Sequence, residues 1–232
     1  MAGRDIVIHS PDGTFMGYLA VPAAGKGPGL VVIQEIFGVN QVMREITDGF
    51  AAAGFAALCP DLFWRQEPGL QLTDKTEAEW SRAFQLYQGF SVDKGIADIV
   101  SSMGELAASG ACTGKIGTTG YCLGGLLAYL AGCRTKADAS VGYYGVGIEK
   151  HLGEAAKLRG AVLLHVAEED KFVPKPAQAE IKAALAGNVK VTIHSYPGMD
   201  HAFCRTGGEH YNAAAAGLAN QRTLAFFKQH LA

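Results

Sequence analysis

At 232 residues, 49% of them hydrophobic, the chain is long enough to fill one substantial core. Lys plus Arg (20) nearly balance Asp plus Glu (22), and no block of like charge occurs, which excludes the electrostatic footprint of a nucleic-acid binder. The opening MAGRDIVIHSPDG lacks an apolar signal core, and no stretch approaches the roughly 20 apolar residues of a membrane span, so a cytoplasmic protein without membrane contact is expected.

Short apolar, β-branched runs recur along the chain and predict strands at 5–9, 15–21, 29–33, 55–59, 115–119, 139–143, 161–167 and 189–196. Several lack alternation, as in parallel strands buried on both faces. The first two flank SPDGT, whose Asp-Gly turn signal predicts an antiparallel hairpin at the sheet edge. Helical periodicity appears in between: Val42, Ile46 and Phe50 before Gly54; Val92, Ile96, Ile99, Met103 and Leu106 after Ser91 as N-cap; and Tyr211, Ala214, Leu218, Leu224, Phe227 and Leu231 at the end. Strands alternating with helices imply an α/β fold, a mostly parallel sheet of about eight strands with helices on both faces. No repeat or linker splits the chain, so a single domain over 1–232 is expected, as a monomer. The five cysteines (Cys59, Cys112, Cys122, Cys133, Cys204) are odd in number and scattered, and read as thiols rather than a disulfide framework.

In such a sheet, ligands bind beyond the carboxyl ends of the strands. The run 115–119 leads into Gly120-Tyr121-Cys122-Leu123-Gly124-Gly125 and then a candidate helix at 126–131, the pattern glycine-x-nucleophile-x-glycine on a strand-to-helix turn. A side chain there projects above the sheet, and flanking glycines avoid collision with the neighbouring strand and helix. The helix start behind the sulfur favours thiolate and a developing oxyanion. The competing reading of Cys122 is a buried packing thiol, since free cysteine is a small apolar group.

A thiol with an ordinary pKa of about 8.5 needs an activating base. In the elbow arrangement the order is nucleophile, acid, histidine. The strand at 161–167 runs into Glu168-Glu169-Asp170, and Asp170 is preferred because Phe172-Val173-Pro174 pins the loop behind it; the other reading is a solvated acidic turn. After the strand at 189–196, Pro197-Gly198-Met199-Asp200 presents His201 on a loop able to reach the strand ends. His201 with Cys204 lacks a second ligand pair at zinc spacing, so no metal and no cofactor is expected.

Taken together, Gln34-Glu35-Ile36-Phe37-Gly38, Cys-Pro-Asp-Leu at 59–62, Gly-Tyr-Cys-Leu-Gly-Gly at 120–125, Gly-Tyr-Tyr-Gly-Val-Gly at 142–147, Asp170 with Phe-Val-Pro, and Gly-x-x-His-Ala-Phe at 198–203 resemble the dienelactone hydrolase (carboxymethylenebutenolidase) family, of α/β-hydrolase fold. The resemblance runs through essentially the whole chain. It implies a catalytic set of Cys122, Asp170 and His201 with Glu35 beside the thiol, and an oxyanion hole from the backbone N–H groups of Ile36 and Leu123. It further implies ring opening of dienelactone to maleylacetate in breakdown of aromatic and chloroaromatic compounds. Glu35 would hold the resting thiol protonated until substrate displaces it, because a nearby carboxylate disfavours thiolate. Salt-bridging to Arg44 is the alternative role for Glu35. Arg205 matches a family arginine that grips the substrate carboxylate, whereas the position of the other holds Trp80; either Arg82, two residues on and on a different helix face, substitutes as a substrate-binding residue from a shifted segment, or the pocket prefers a less acidic or bulkier acyl group. Phe37 and Tyr144 read as pocket walls.

The expected partner is a small lactone or ester. Two other readings stand beside it: a carboxylesterase or thioesterase with a different small acyl substrate, which Trp80 favours, and a non-catalytic binding module that keeps the fold.

Overall fold

A computed structural model describes residues 3–231; Met1, Ala2 and Ala232, the ends of the expected 1–232 domain, lie outside the described residues. Strands β1 (Arg4–Ser10) and β2 (Gly13–Ala20) form the expected hairpin, antiparallel with Ser10 opposite Gly13 and Val7 opposite Met16. They continue into an eight-stranded sheet of order β1-β2-β4-β3-β5-β6-β7-β8, where β3 is Gly27–Ile33, β4 Ala56–Pro60, β5 Cys112–Tyr121, β6 Ala139–Tyr143, β7 Ala161–Ala167 and β8 Val191–Tyr196. Strand β2 meets β4 antiparallel, while β3–β4, β6–β7 and β7–β8 are parallel. Every residue of β4 and β6 is buried, which explains why these runs carry no alternation.

The chain forms two compact units, the first up to Gly117 and the second from Thr118. In the first lie α1 (Gln41–Ala52), α2 (Glu77–Gln88) and α3 (Val92–Ala108); in the second α4 (Leu123–Arg134), a 3-10 segment (Ile148–Lys157), α5 (Lys175–Leu185) and α6 (Ala213–Leu231). Among the described residues no helix is long and apolar enough to cross a membrane. Side-chain caps start the helices of the first unit: Asn40 accepts from Met43 N–H, Thr76 from Glu79 N–H, and Ser91, as expected, from Lys94 N–H.

The helix faces differ from the sequence periodicity in an instructive way. Helix α1 buries Met43, Thr47 and Phe50 rather than Val42 and Ile46, because the Thr47 hydroxyl donates back to the Met43 carbonyl at 2.7 Å and enters the core already satisfied. Helix α6 buries Ala216, Ala219, Thr223, Phe227 and Leu231, and leaves Leu218 43% exposed. Val189, read as the start of the last strand, precedes β8 and is 99% exposed. In both helices a threonine with a local or buried partner takes the place of an aliphatic residue that periodicity alone favours.

Candidate active site

The second unit turns sharply after β5. Cys122 is the N-cap of α4 with φ 57° and ψ −114°, a conformation L-residues rarely adopt. Its N–H donates to the Tyr143 carbonyl (3.1 Å), and its own carbonyl accepts from Gly125 N–H (3.0 Å), so the strain is held from both sides. The glycines are steric necessities: a Cβ at Gly120 would sit 2.0 Å from the Gly124 carbonyl oxygen, and one at Gly125 2.5 Å from that of Tyr143. Among the described residues, the non-glycine residues with positive φ are Cys122 (57°), Tyr144 (38°) and Ala202 (62°). One is the elbow cysteine, one packs on His201, and one follows His201 in sequence. Backbone strain of this kind concentrates at functional sites.

His201 is buried and donates its Nδ1–H to Asp170 Oδ2 at 2.7 Å; its side chain is also hydrogen-bonded to that of Cys122. The other Asp170 oxygen accepts the N–H groups of Phe172 (2.8 Å) and Val173 (3.2 Å), so the Phe-Val-Pro segment does fix the acid. The neighbouring carboxylates face α5 instead: Glu169 pairs with Lys175 at 2.9 Å and Glu168 lies 3.9 Å from Lys182. Tyr144 and Phe172 bracket the His201 ring edge-on, with centroids 5.0 and 4.8 Å away. Tyr144, read from the sequence as a pocket wall, therefore lies against the histidine ring. For the placement of Phe172 against His201 the sequence carries only the signal of an aromatic two positions after the acid, and for the positive φ of Ala202 it carries none.

Burial opposes charge on the His201 imidazole, but the charge on Cys122 and the hydrogen bonds to Asp170 and Cys122 outweigh it and raise its pKa to about 10. The arrangement is a Cys–His–Asp relay out of bulk water, able to move a proton between sulfur and imidazole. Leu123 opens α4 and is buried, as is Arg205, whose N–H donates to the Ala202 carbonyl.

In the first unit, Glu35, Ile36 and Phe37 follow β3 and are all buried. The Gln34 amide braces their loop, donating to the Glu35 carbonyl (3.2 Å) and accepting from Leu62 N–H (3.0 Å). Gly38 has φ 77° and passes so close to Leu70 that a Cβ would lie 2.0 Å from its carbonyl oxygen. Arg44 pairs with Asp5 at 2.9 Å and its guanidinium lies over the Tyr18 ring. Trp80 stands edge-on to Phe37 at 5.0 Å, stacks on Phe84 at 5.6 Å, and donates its indole N–H to the Asp74 carbonyl. Arg82 is on the surface of α2, bound to Glu67 and, at 3.2 Å, to Gln85.

Residues 15–231 match the dienelactone hydrolase family. An Azospirillum brasilense protein carrying a provisional carboxymethylenebutenolidase name is 53% identical over 222 residues, covering 95% of each chain. Carboxymethylenebutenolidase of Pseudomonas putida is 39% identical over 227 residues, covering 97% of this chain and 96% of its own. A Klebsiella pneumoniae crystal structure with a provisional dienelactone hydrolase name superposes with a TM-score of 0.88 at 27% identity, covering 98% of both chains. With the α/β fold and the elbow already described, these matches place the chain in the dienelactone hydrolase family, as a carboxylic ester hydrolase.

Proposed function

We propose that this hydrolase opens the lactone ring of dienelactone to maleylacetate with Cys122 as nucleophile, within the catabolism of aromatic and chloroaromatic compounds. The observation that carries the reading is the buried contact of Cys122 with His201 and of His201 with Asp170 at 2.7 Å. His201 takes the thiol proton, and Asp170 orients the ring and stabilises the imidazolium. The sulfur attacks the lactone carbonyl, the ring acyl–oxygen bond breaks, and a thioester forms whose enolate leaving group stays tethered. Water then hydrolyses the thioester, with the enolate or His201 accepting its proton. The Leu123 N–H at the start of α4 stabilises the oxyanion, and the family resemblance gives Ile36 as the second donor; one such donor is worth about 2.7–4 kcal/mol of barrier. Turnover of dienelactone isomers by wild type and Cys122→Ala tests the assignment. Undiminished turnover by the alanine variant would overturn it.

The resemblance also gives Glu35 as the restraint on the thiol. That role predicts faster alkylation of Cys122 when a substrate analogue is bound; equal rates would remove it.

A second reading has a specific basis. Trp80 with Phe37 and Phe84 makes an aromatic wall where the family resemblance expects an arginine, and Arg82 is engaged by Glu67. Such a wall favours a less acidic or bulkier acyl group than the dienelactone carboxylate. Higher kcat/KM for neutral aryl esters than for dienelactone would select it.

A further inference from the structure

Beneath the elbow, six side chains of the second unit form an unbroken line of hydrogen bonds. Arg222 Nη1 donates to Tyr196 Oη (3.2 Å), Tyr196 Oη meets His165 Nδ1 (2.7 Å), and His165 Nε2 meets Thr223 Oγ1 (2.9 Å). Thr223 Oγ1 meets Tyr143 Oη (2.5 Å), and Tyr143 donates to Asn220 Oδ1 (3.1 Å). His165, Thr223 and Tyr143 are fully inside, at 1%, 0% and 0% exposure, where an unmade hydrogen bond is costly.

Donor counting fixes the direction of the line. Tyr143 has one proton and uses it on Asn220, so Thr223 must donate to Tyr143. Thr223 then has no proton left for His165, so His165 Nε2 must carry one and donate it. Its Nδ1 is therefore the bare nitrogen that accepts from Tyr196, whose oxygen in turn accepts from Arg222. Every member is satisfied in one arrangement, and that arrangement requires the neutral Nε2–H tautomer of His165. Burial in addition holds the His165 pKa down to about 3.

The same residues carry the carbonyls that hold the strained backbone of the site. The His165 carbonyl accepts the N–H of Tyr144 at 2.8 Å, and the Tyr143 carbonyl accepts that of Cys122 at 3.1 Å. Both donors, Tyr144 and Cys122, are residues with positive φ, and such conformations persist only where their surroundings over-determine them. Tyr196 adds a second route: its ring packs on Phe203 at 4.8 Å, and Phe203 on Tyr144 at 5.7 Å.

We propose that His165 is a positioning residue, locked by Thr223, Tyr143 and Tyr196 so that β6 and β7 present Cys122 and Tyr144 to His201 in reactive register. No proton of the reaction passes through it. The inference rests on Cys122 being the nucleophile, and the experiment separates the two claims.

Thr223→Val removes the hydroxyl at nearly constant volume, and Thr223→Ser returns it. For Thr223→Val the expected result is a kcat lowered at least about tenfold with KM within about twofold, and a matching fall in the alkylation rate of Cys122 by iodoacetamide, since small misplacements of reacting groups carry large rate costs. Thr223→Ser recovers most of both. Tyr196→Phe, which cuts the line at its outer end, gives a smaller loss of the same kind and serves if Thr223→Val does not fold. Imidazole nitrogen shifts in the wild type should report the Nε2–H tautomer. A purely structural network predicts lower melting temperatures with kcat and alkylation of the folded variants unchanged; that result, or an Nδ1–H tautomer, overturns the proposal. If instead Cys122→Ala keeps full activity, it is the nucleophile assignment that fails.

Discussion

Asp170→Asn isolates the orienting role of the acid, because the structure dictates how the amide must sit. Oδ1 of Asp170 accepts from both Phe172 and Val173, so the asparagine carbonyl has to remain there; the opposite orientation would aim an NH2 at two donors. The NH2 is then directed at His201 Nδ1, now 2.7 Å from Oδ2, and forces that nitrogen to accept. The ring proton moves to Nε2, on the side of Cys122, where a base has to be bare. Losing the working tautomer in a nucleophile–His–acid relay lowers kcat by about 10⁴, close to 5.4 kcal/mol of barrier. Fold stability should change little, since both loop hydrogen bonds survive. Asp170→Ala is the contrast: it removes the acceptor of two loop N–H groups, of which the buried one at Val173 alone costs about 1–3 kcal/mol when orphaned, and lowers the melting temperature as well as kcat. Steady-state turnover of dienelactone and an aryl ester, with thermal melts of each variant, makes the measurement. An asparagine variant within tenfold of wild-type kcat would refute the tautomer argument.

Gly120→Ala places a Cβ 2.0 Å from the Gly124 carbonyl oxygen, a clash with backbone that no rotamer relieves. Overpacking of this sort costs at least about 1–3 kcal/mol, so reduced soluble yield and a lower denaturant midpoint are expected, and a midpoint equal to wild type would contradict the steric reading. His165, whose pKa burial lowers to about 3, contributes stability that is fully present above its unfolded value near 6.5 and declines as pH falls toward 3, because the unfolded chain then binds a proton the folded one does not. Urea unfolding should therefore lose about 0.7 kcal/mol from this group between pH 7 and 6 and about 1.2 kcal/mol between pH 6 and 5, a dependence that His165→Phe abolishes. Trp80→Arg should lower KM for dienelactone about tenfold relative to a neutral ester if the wall faces the substrate carboxylate, as one charge-assisted pair is worth about 1.5–3 kcal/mol; unchanged selectivity would remove Trp80 from the substrate site.

Sequence reasoning located the elbow and the loops after β7 and β8 because each bears local chemistry. Gly120 and Gly125 are demanded by close backbone approach, and Asp170 precedes a Phe-Val-Pro segment whose N–H groups it binds. What escaped it depends on partners distant in the chain. Thr223 interrupts the aliphatic periodicity of α6, yet it is buried because Tyr143 and His165, 80 and 58 residues away, use its hydroxyl. His165, in the middle of an apolar strand run, is buried for the same reason. Leu218 carries the apolar signal and faces solvent. Hydrophobic pattern records which residues avoid water; it does not record which polar groups will find each other inside.

The strained backbone links these two kinds of residue. A cysteine at φ 57°, a tyrosine at 38° and an alanine at 62° each cost free energy that nothing local returns. Two of the three are tied by hydrogen bonds to the carbonyls of Tyr143 and His165, side chains that cannot shift without breaking a buried line of satisfied donors and acceptors. A purely apolar core under the elbow would be as stable, but many near-equivalent packings would be open to it. A directional hydrogen-bond line admits one arrangement, so the cost of holding the sulfur, the imidazole and the tyrosine in register is met by groups that take no part in the chemistry.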